Sequence, residues 1–343
     1  MTSTDSQNDE LMHPVGEQAA WSESYYFNFV DPKNKLAMFT RVGFRPQDGW
    51  ADALHVVYLG GKRVAFTYGR RNIEKDLSLY DGDLTAGDLT ISCSAAFKKW
   101  QISYKGPAQD IEDGAILLER RKLRRDGWYQ PATLDMQVQF DCTTEPYHSR
   151  SDEAASGAFG HFEQSGRVSG VIQLGEEKWN VSGFGVRDKS WGPRDWGAGA
   201  HSSESESKQI FSSAKAPSPF VNWFSMNFGE DVALGGSGFR HADGVVRGSG
   251  WIQRNGESTH LNNIVITSNY AADSILHTQV FLKGEIAGGE IIEISGKILN
   301  VCPTKVPMPG GATFINEGLA EYTWGDKVGY GITEHWHAVS MGS

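Results

Sequence analysis

The sequence predicts an all-β protein built as two tandem antiparallel β-barrel or sandwich domains. Three observations carry this. Short runs of alternating apolar and polar residues recur along the chain, separated by turn residues. No segment longer than twelve residues shows a convincing 3.6-residue period. The 343 residues include 40 glycines, as a chain rich in turns requires.

The elements follow in order. Residues 1–20 are polar, with little to bury, and read as a disordered tail. Tyr25–Val30 and Leu36–Phe44 alternate around the turn Asp31-Pro32-Lys33-Asn34, and Leu54–Leu59 and Val64–Tyr68 flank Gly60-Gly61; both read as hairpins. Asp88–Ser92, Lys99–Tyr104, Ala115–Leu123 and Thr133–Cys142 continue the strand series, and Val168–Leu174 with Trp179–Val186 make a third hairpin. Beyond a helix or loop at Ser202–Ser213 come Phe220–Phe228, Ala233–His241, Val245–Gln253, Asn262–Ser268, Ile275–Lys283, Ile291–Val301, Thr313–Trp324 and Val328–Val339. This is more strand than one barrel uses. The expected division is 21–180 and 181–343, with the polar stretch Glu145–Gly157 as an earlier candidate boundary.

Charge and composition exclude several classes. A net charge of −10 argues against nucleic-acid binding. The start of the chain has no apolar signal-peptide core, and no run of eighteen apolar residues exists, so no membrane contact and a cytoplasmic location are expected. Cys93, Cys142 and Cys302 form no metal-binding or disulfide pattern and read as reduced thiols. No phosphate-binding loop, dinucleotide fingerprint or serine elbow is present, so no cofactor is expected. Arg120–Arg125, apart from Leu123, is basic and reads as a solvated hairpin end.

The densest chemistry lies in Gly183–Trp196. One reading is a strand-end loop, stopped by Gly192-Pro193, that aims Asp188, Lys189 and Arg194 into a cavity walled by Trp191 and Trp196. A lysine among indoles has a lowered pKa and suits base, acid or Schiff-base work. The other reading is a clasp in which Arg187 or Arg194 pairs with Asp188 or Asp195. Three further groups stand beside it. His161 and Glu163 share a strand face and suit general-base work or a cross-strand pair. Glu23-Ser24-Tyr25-Tyr26 offers Tyr25 as a phenol donor and Tyr26 as a lining ring, or plain core. In the last strand His335 and His337 share one face and Glu334 and Trp336 the other. The histidines suit a metal only with a third ligand, which no spacing marks, and Glu334 is a candidate buried acid.

The string Asp188–Trp196 resembles the signature R-D-H-S-W-G-x-R-D-W of a two-domain bacterial family of calycin, or lipocalin-like, type. Glu23–Pro32, His161–Gly170 and Asn316–Glu334 are similar to it as well. The wider group includes carotenoid hydratases, decalin-forming cyclases and lyases of lignin-derived aromatics. The resemblance implies two barrel-like domains and a cofactor-free pocket for an apolar ring or isoprenoid. Lys189 stands where relatives more often carry histidine. The expected function is a cofactor-independent lyase acting by general acid–base chemistry on a hydrophobic aromatic, of the lignin diaryl type, or an isoprenoid. It would release an aldehyde by retro-aldol cleavage, or add or remove water. Lys189, Asp188, Arg194, Tyr25, His161 and Glu334 would be catalytic, and Trp191, Trp196, Tyr26 and Trp336 would hold the substrate. The alternatives are a carrier of a hydrophobic ligand and an isomerase or cyclase of the same fold. Pairing of exposed strands makes a homodimer the expected assembly.

Overall fold

The computed structural model describes residues 9–17, 20–148, 160–194, 219–308 and 311–340. They fall into two compact units. One comprises Met1–Ile111 with Tyr129–Arg194, the other Glu112–Trp128 with Asp195–Ser343.

In the first unit the alternating runs pair as β1 (Trp21–Asp31), β2 (Leu36–Arg45), β3 (Trp50–Tyr58), β4 (Val64–Asn72), β5 (Leu84–Ala86), β6 (Leu89–Ala95), β7 (Lys99–Ile111), β8 (Gln130–Cys142), β9 (Tyr147–His148), β10 (Gly160–Leu174) and β11 (Glu177–Pro193). All pairings are antiparallel and run β4-β3-β2-β1-β11-β10-β8-β7-β6-β5. A short further pairing, Val64–Phe66 against Gln109–Ile111, joins β4 to β7 and closes the ring. The inner face holds Tyr25, Phe27, Phe29, Trp100, Phe140 and Val168, the odd-numbered positions of β1 among them.

The second unit is a closed eight-stranded barrel of β12 (Val221–Asn227), β13 (Val232–Arg240), β14 (Val246–Arg254), β15 (Glu257–Tyr270), β16 (His277–Ile286), β17 (Glu290–Met308), β18 (Gly311–Trp324) and β19 (Lys327–Ser340). Each strand pairs with its chain neighbour and β12 closes on β19. Phe224, Leu234, Ile252, Leu282 and Tyr322 fill its core. The all-β, tandem barrel-type architecture expected from the alternation is what the structure contains.

Three details depart from the sequence reading. Ala115–Leu123 is not a strand. It forms short 3-10 turns at Gly114–Leu118 and Arg121–Leu123, and the Asp113 carboxylate caps the first by accepting from the Ala115 amide. β11 runs on to Pro193, so a boundary at 180 cuts through a paired strand. Within the expected disordered tail, Asp9–Glu17 is placed, with Glu10 and Met12 buried. Ser202–Ser213 lies outside the described residues.

Candidate functional site

The motif around Lys189 is strand, not loop. Trp191 pairs with Gly160 on one side and Glu23 on the other, and Lys189 with Phe162 and Tyr25. Side chains two apart therefore share a face, and neighbours point oppositely. Arg187, Lys189 and Trp191 face the core of the first unit, while Asp188 and Ser190 face away from it.

On the inner face, polar side chains bind the segment Asp9–His13. The Lys189 Nζ forms an ion pair with Glu23 at 2.9 Å and donates to the backbone oxygens of Asp9 and Leu11 at 2.6 and 2.5 Å. An ammonium has three donors, so all are engaged, and the side chain is wholly buried. Burial lowers its pKa and Glu23 opposes the shift. Lys189 is thus placed as an anchor, its three donors held by Glu23 and the two backbone oxygens rather than turned to a cavity. Glu23 also accepts from the His13 backbone amide and contacts His13 Nδ1, both at 2.9 Å. The His13 ring stacks on Trp191 with centroids 3.9 Å apart, so this indole packs on the chain's own imidazole. Tyr25 donates to the Glu10 backbone oxygen, and burial, with Glu23 and Glu10 nearby, raises its pKa well above the usual phenol value. Arg187 does not pair with Asp188, its strand neighbour. It holds the Glu10 carboxylate through two donors at 3.0 and 2.6 Å and donates to Gln164 at 2.8 Å.

The opposite face carries the reactive set. His161 and Glu163 on β10 lie beside Ser190 and Asp188 on β11, and Tyr26 on β1 lies beside Asp188. His161 Nε2 hydrogen-bonds Asp188 and lies 3.6 Å from Glu163. Burial alone would discharge this imidazole. Asp188, by charge and hydrogen bond, and then Glu163 outweigh that and raise His161 to about 9, against an opposing Arg194. Arg194 donates to Ser190 at 3.0 Å. His161 remains 20% exposed, so its acid is within reach of a ligand. Away from Asp188 the face continues as an aromatic ladder, Tyr26 to Phe39 to Tyr58, with centroids 6.4 and 6.1 Å apart.

Donor atoms of His161, Glu163 and Asp188 all lie within 4.8 Å of one another. These are the described residues that could share a cation. As placed, the imidazole nitrogen faces the carboxylate directly, which suits a shared proton; a cation would need both lone pairs turned to a common point.

In the second unit the Trp336 indole donates to the Glu334 carboxylate on the same face of β19, and Glu334 lies opposite Glu317. His335 and His337 share a face, as their spacing implies, and that face is the buried inner one of the barrel. Trp196 lies outside the described residues. The predicted set is therefore divided: Asp188, His161, Arg194 and Tyr26 on one face; Lys189, Trp191 and Tyr25 on the other; Glu334 and Trp336 in the second unit. Glu10 and His13 were missed because a polar terminal segment carries no periodic signal. The cysteines are free among the described residues, and burial raises Cys93 and Cys142 to about 11, so neither is a ready nucleophile. No helix among the described residues is long and apolar enough to cross a membrane.

Residues 6–339 match the family described as a domain of unknown function, DUF7064, and the chain belongs to that family. No curated protein matches it in sequence. Several solved structures share its fold. CghA with Sch210972 is 11% identical with a TM-score of 0.51, over 94% of this chain and 90% of that one. Kievitone hydratase from Nectria haematococca is also 11% identical, TM-score 0.51, over 96% and 97%. A putative AttH from Nitrosomonas europaea is 13% identical, TM-score 0.50, over 96% and 100%.

Proposed function

We propose that this protein is an acid–base lyase or hydratase of a small apolar molecule, with His161 as the proton donor. The observation that carries this is a 20% exposed imidazole hydrogen-bonded to Asp188 and 3.6 Å from Glu163, two carboxylates that raise its pKa to about 9. A charged His161 can protonate an alkene carbon or a leaving hydroxyl, and Asp188 orients it. Tyr26, the ring beside Asp188 on this face, is the aromatic nearest the acid, and Phe39 and Tyr58 are buried next to it. The fold shared with kievitone hydratase supports the (de)hydration form of this chemistry over aldehyde release. The protein needs no cofactor under this reading.

The test is turnover on a panel of aryl alkenes, isoprenoid alkenes and β-hydroxy aryl compounds. His161→Gln and Asp188→Asn should each lower kcat by about 10²–10⁴-fold while leaving KM nearly unchanged. The wild-type rate should fall as pH rises through about 9, as the acid is lost. Undiminished turnover in His161→Gln removes the assignment, and tight binding with no turnover across the panel establishes the carrier. Dialysis against a chelator should leave the rate intact; a rate restored only by a stoichiometric cation would make His161, Glu163 and Asp188 ligands.

A further inference from the structure

The barrel of the second unit is layered. At one level its inner face is apolar, with Phe224, Met226, Ala320 and Tyr322. At another level it is apolar again, with Ile275, Ala312, Phe314 and Val339, against which Leu118 packs. Between these levels the same strands change character. On β18 the inward sequence runs Phe314, Asn316, Gly318, Ala320, and on β19 it runs Val339, His337, His335, Thr333. Asn222 of β12 lies beside His335, and His277 stacks on His335 with centroids 3.8 Å apart. Gly318 makes this possible, since a Cβ there would sit 2.1 Å from His277 Nε2.

This middle layer is sealed, and its hydrogen bonding does not close. Asn222, His277, Asn316 and His335 are each at most 1% exposed. Among the described residues, both amide atoms of Asn222, Oδ1 of Asn316 and Nε2 of His335 have no hydrogen-bond partner. His277 has at most the Thr333 backbone for one of its two nitrogens. Each such group costs about 1–3 kcal/mol when left unmet, and several in one layer is far beyond ordinary core practice. The chemistry on offer is specific. Burial raises the Tyr270 pKa, so it keeps its proton, and its hydroxyl lies 3.1 Å from His335 Nδ1. With Tyr270 donating there, the neutral His335 carries its proton on Nε2, which is a donor aimed inward. Asn222 adds a donor and an acceptor, and Asn316 an acceptor. Next to Asn222 the wall is Gly236, Gly238, Gly248 and Gly250, with the Val246 and Ile266 side chains against Gly238 and the Phe224 ring against Gly236. An eight-stranded barrel is wide enough either to be filled by side chains or to hold one small ligand.

We propose that this layer is a binding site for one small, neutral, oxygenated molecule, an alcohol or hydroxycarbonyl compound that both donates and accepts hydrogen bonds. The site is independent of His161 and does not rest on the acid–base reading.

The test is an NMR titration of the full chain with 4-hydroxybenzyl alcohol, with toluene as the apolar control of similar girth, following imidazole nitrogen signals. Saturable shifts at His335 and His277, about tenfold tighter for the alcohol than for toluene, are expected from one satisfied buried polar group. These wild-type signals need no variant. Asn222→Ala should weaken binding by about tenfold, and His161→Gln should leave it unchanged. No saturable shift with the alcohol, or equal affinity for toluene, overturns the proposal and makes the layer a hydrated polar core.

Discussion

Lys189 and His161 lie on adjacent strands, and their surroundings give them opposite roles. Lys189 is enclosed by Glu23 and two backbone oxygens. Removing one partner of a buried pair leaves the other charged and stranded, at about 3–5 kcal/mol. Lys189→Met should therefore destabilise the first unit by that order in urea melts, and adding Glu23→Gln should recover most of the loss. A Lys189→Met protein as stable as wild type would show that the pair anchors nothing. His161 was legible as a chemical residue from its spacing to Glu163. Its partnership with Asp188, twenty-seven positions on, was not, because register between β10 and β11 decides it.

At the level of elements, β11 decides which half of the motif meets the core. Its alternation places Asp188 on one side and Lys189 on the other, and this was recoverable from sequence once the strand was known to reach Pro193. Gly192-Pro193 looked like a stop, but Pro193 pairs at the strand's last position, where a missing donor costs little. The close approach of β1 and β11 depends on Gly185, where a Cβ would fall 1.7 Å from the Asn28 carbonyl oxygen. Gly185→Ala should force the strands apart and cost about 1–3 kcal/mol, toward the upper end. Amide exchange across Tyr25–Val30 should accelerate in the same variant. Unchanged protection there would place the strain elsewhere. Ala115–Leu123 shows the converse failure: its apolar content resembles a strand, but Asp113 caps a tight turn.

Across the whole molecule, both units bury neutral histidines. Burial pushes His55 in the first unit and His277 in the second down to about 3, and His335 well below its usual value. Unfolded histidine titrates near 6.5. The folded state therefore resists protonation that the unfolded chain accepts, so stability is kept above about pH 6.5 and lost as pH falls toward 3. Urea midpoints should drop between pH 7 and pH 4.5, and His55→Phe should flatten the part of that slope belonging to the first unit. The sequence by itself determined the all-β class, most strand positions and the shared faces of His161 with Glu163 and His335 with His337. Those follow from a two-residue period and turn residues, which are local. Only the tertiary structure decided that Glu10 and His13 complete the Lys189 anchor, that Asp188 charges His161, and that His277 joins His335 inside the barrel. Those partners are set by register and ring closure, which act across distances along the chain that no local pattern records.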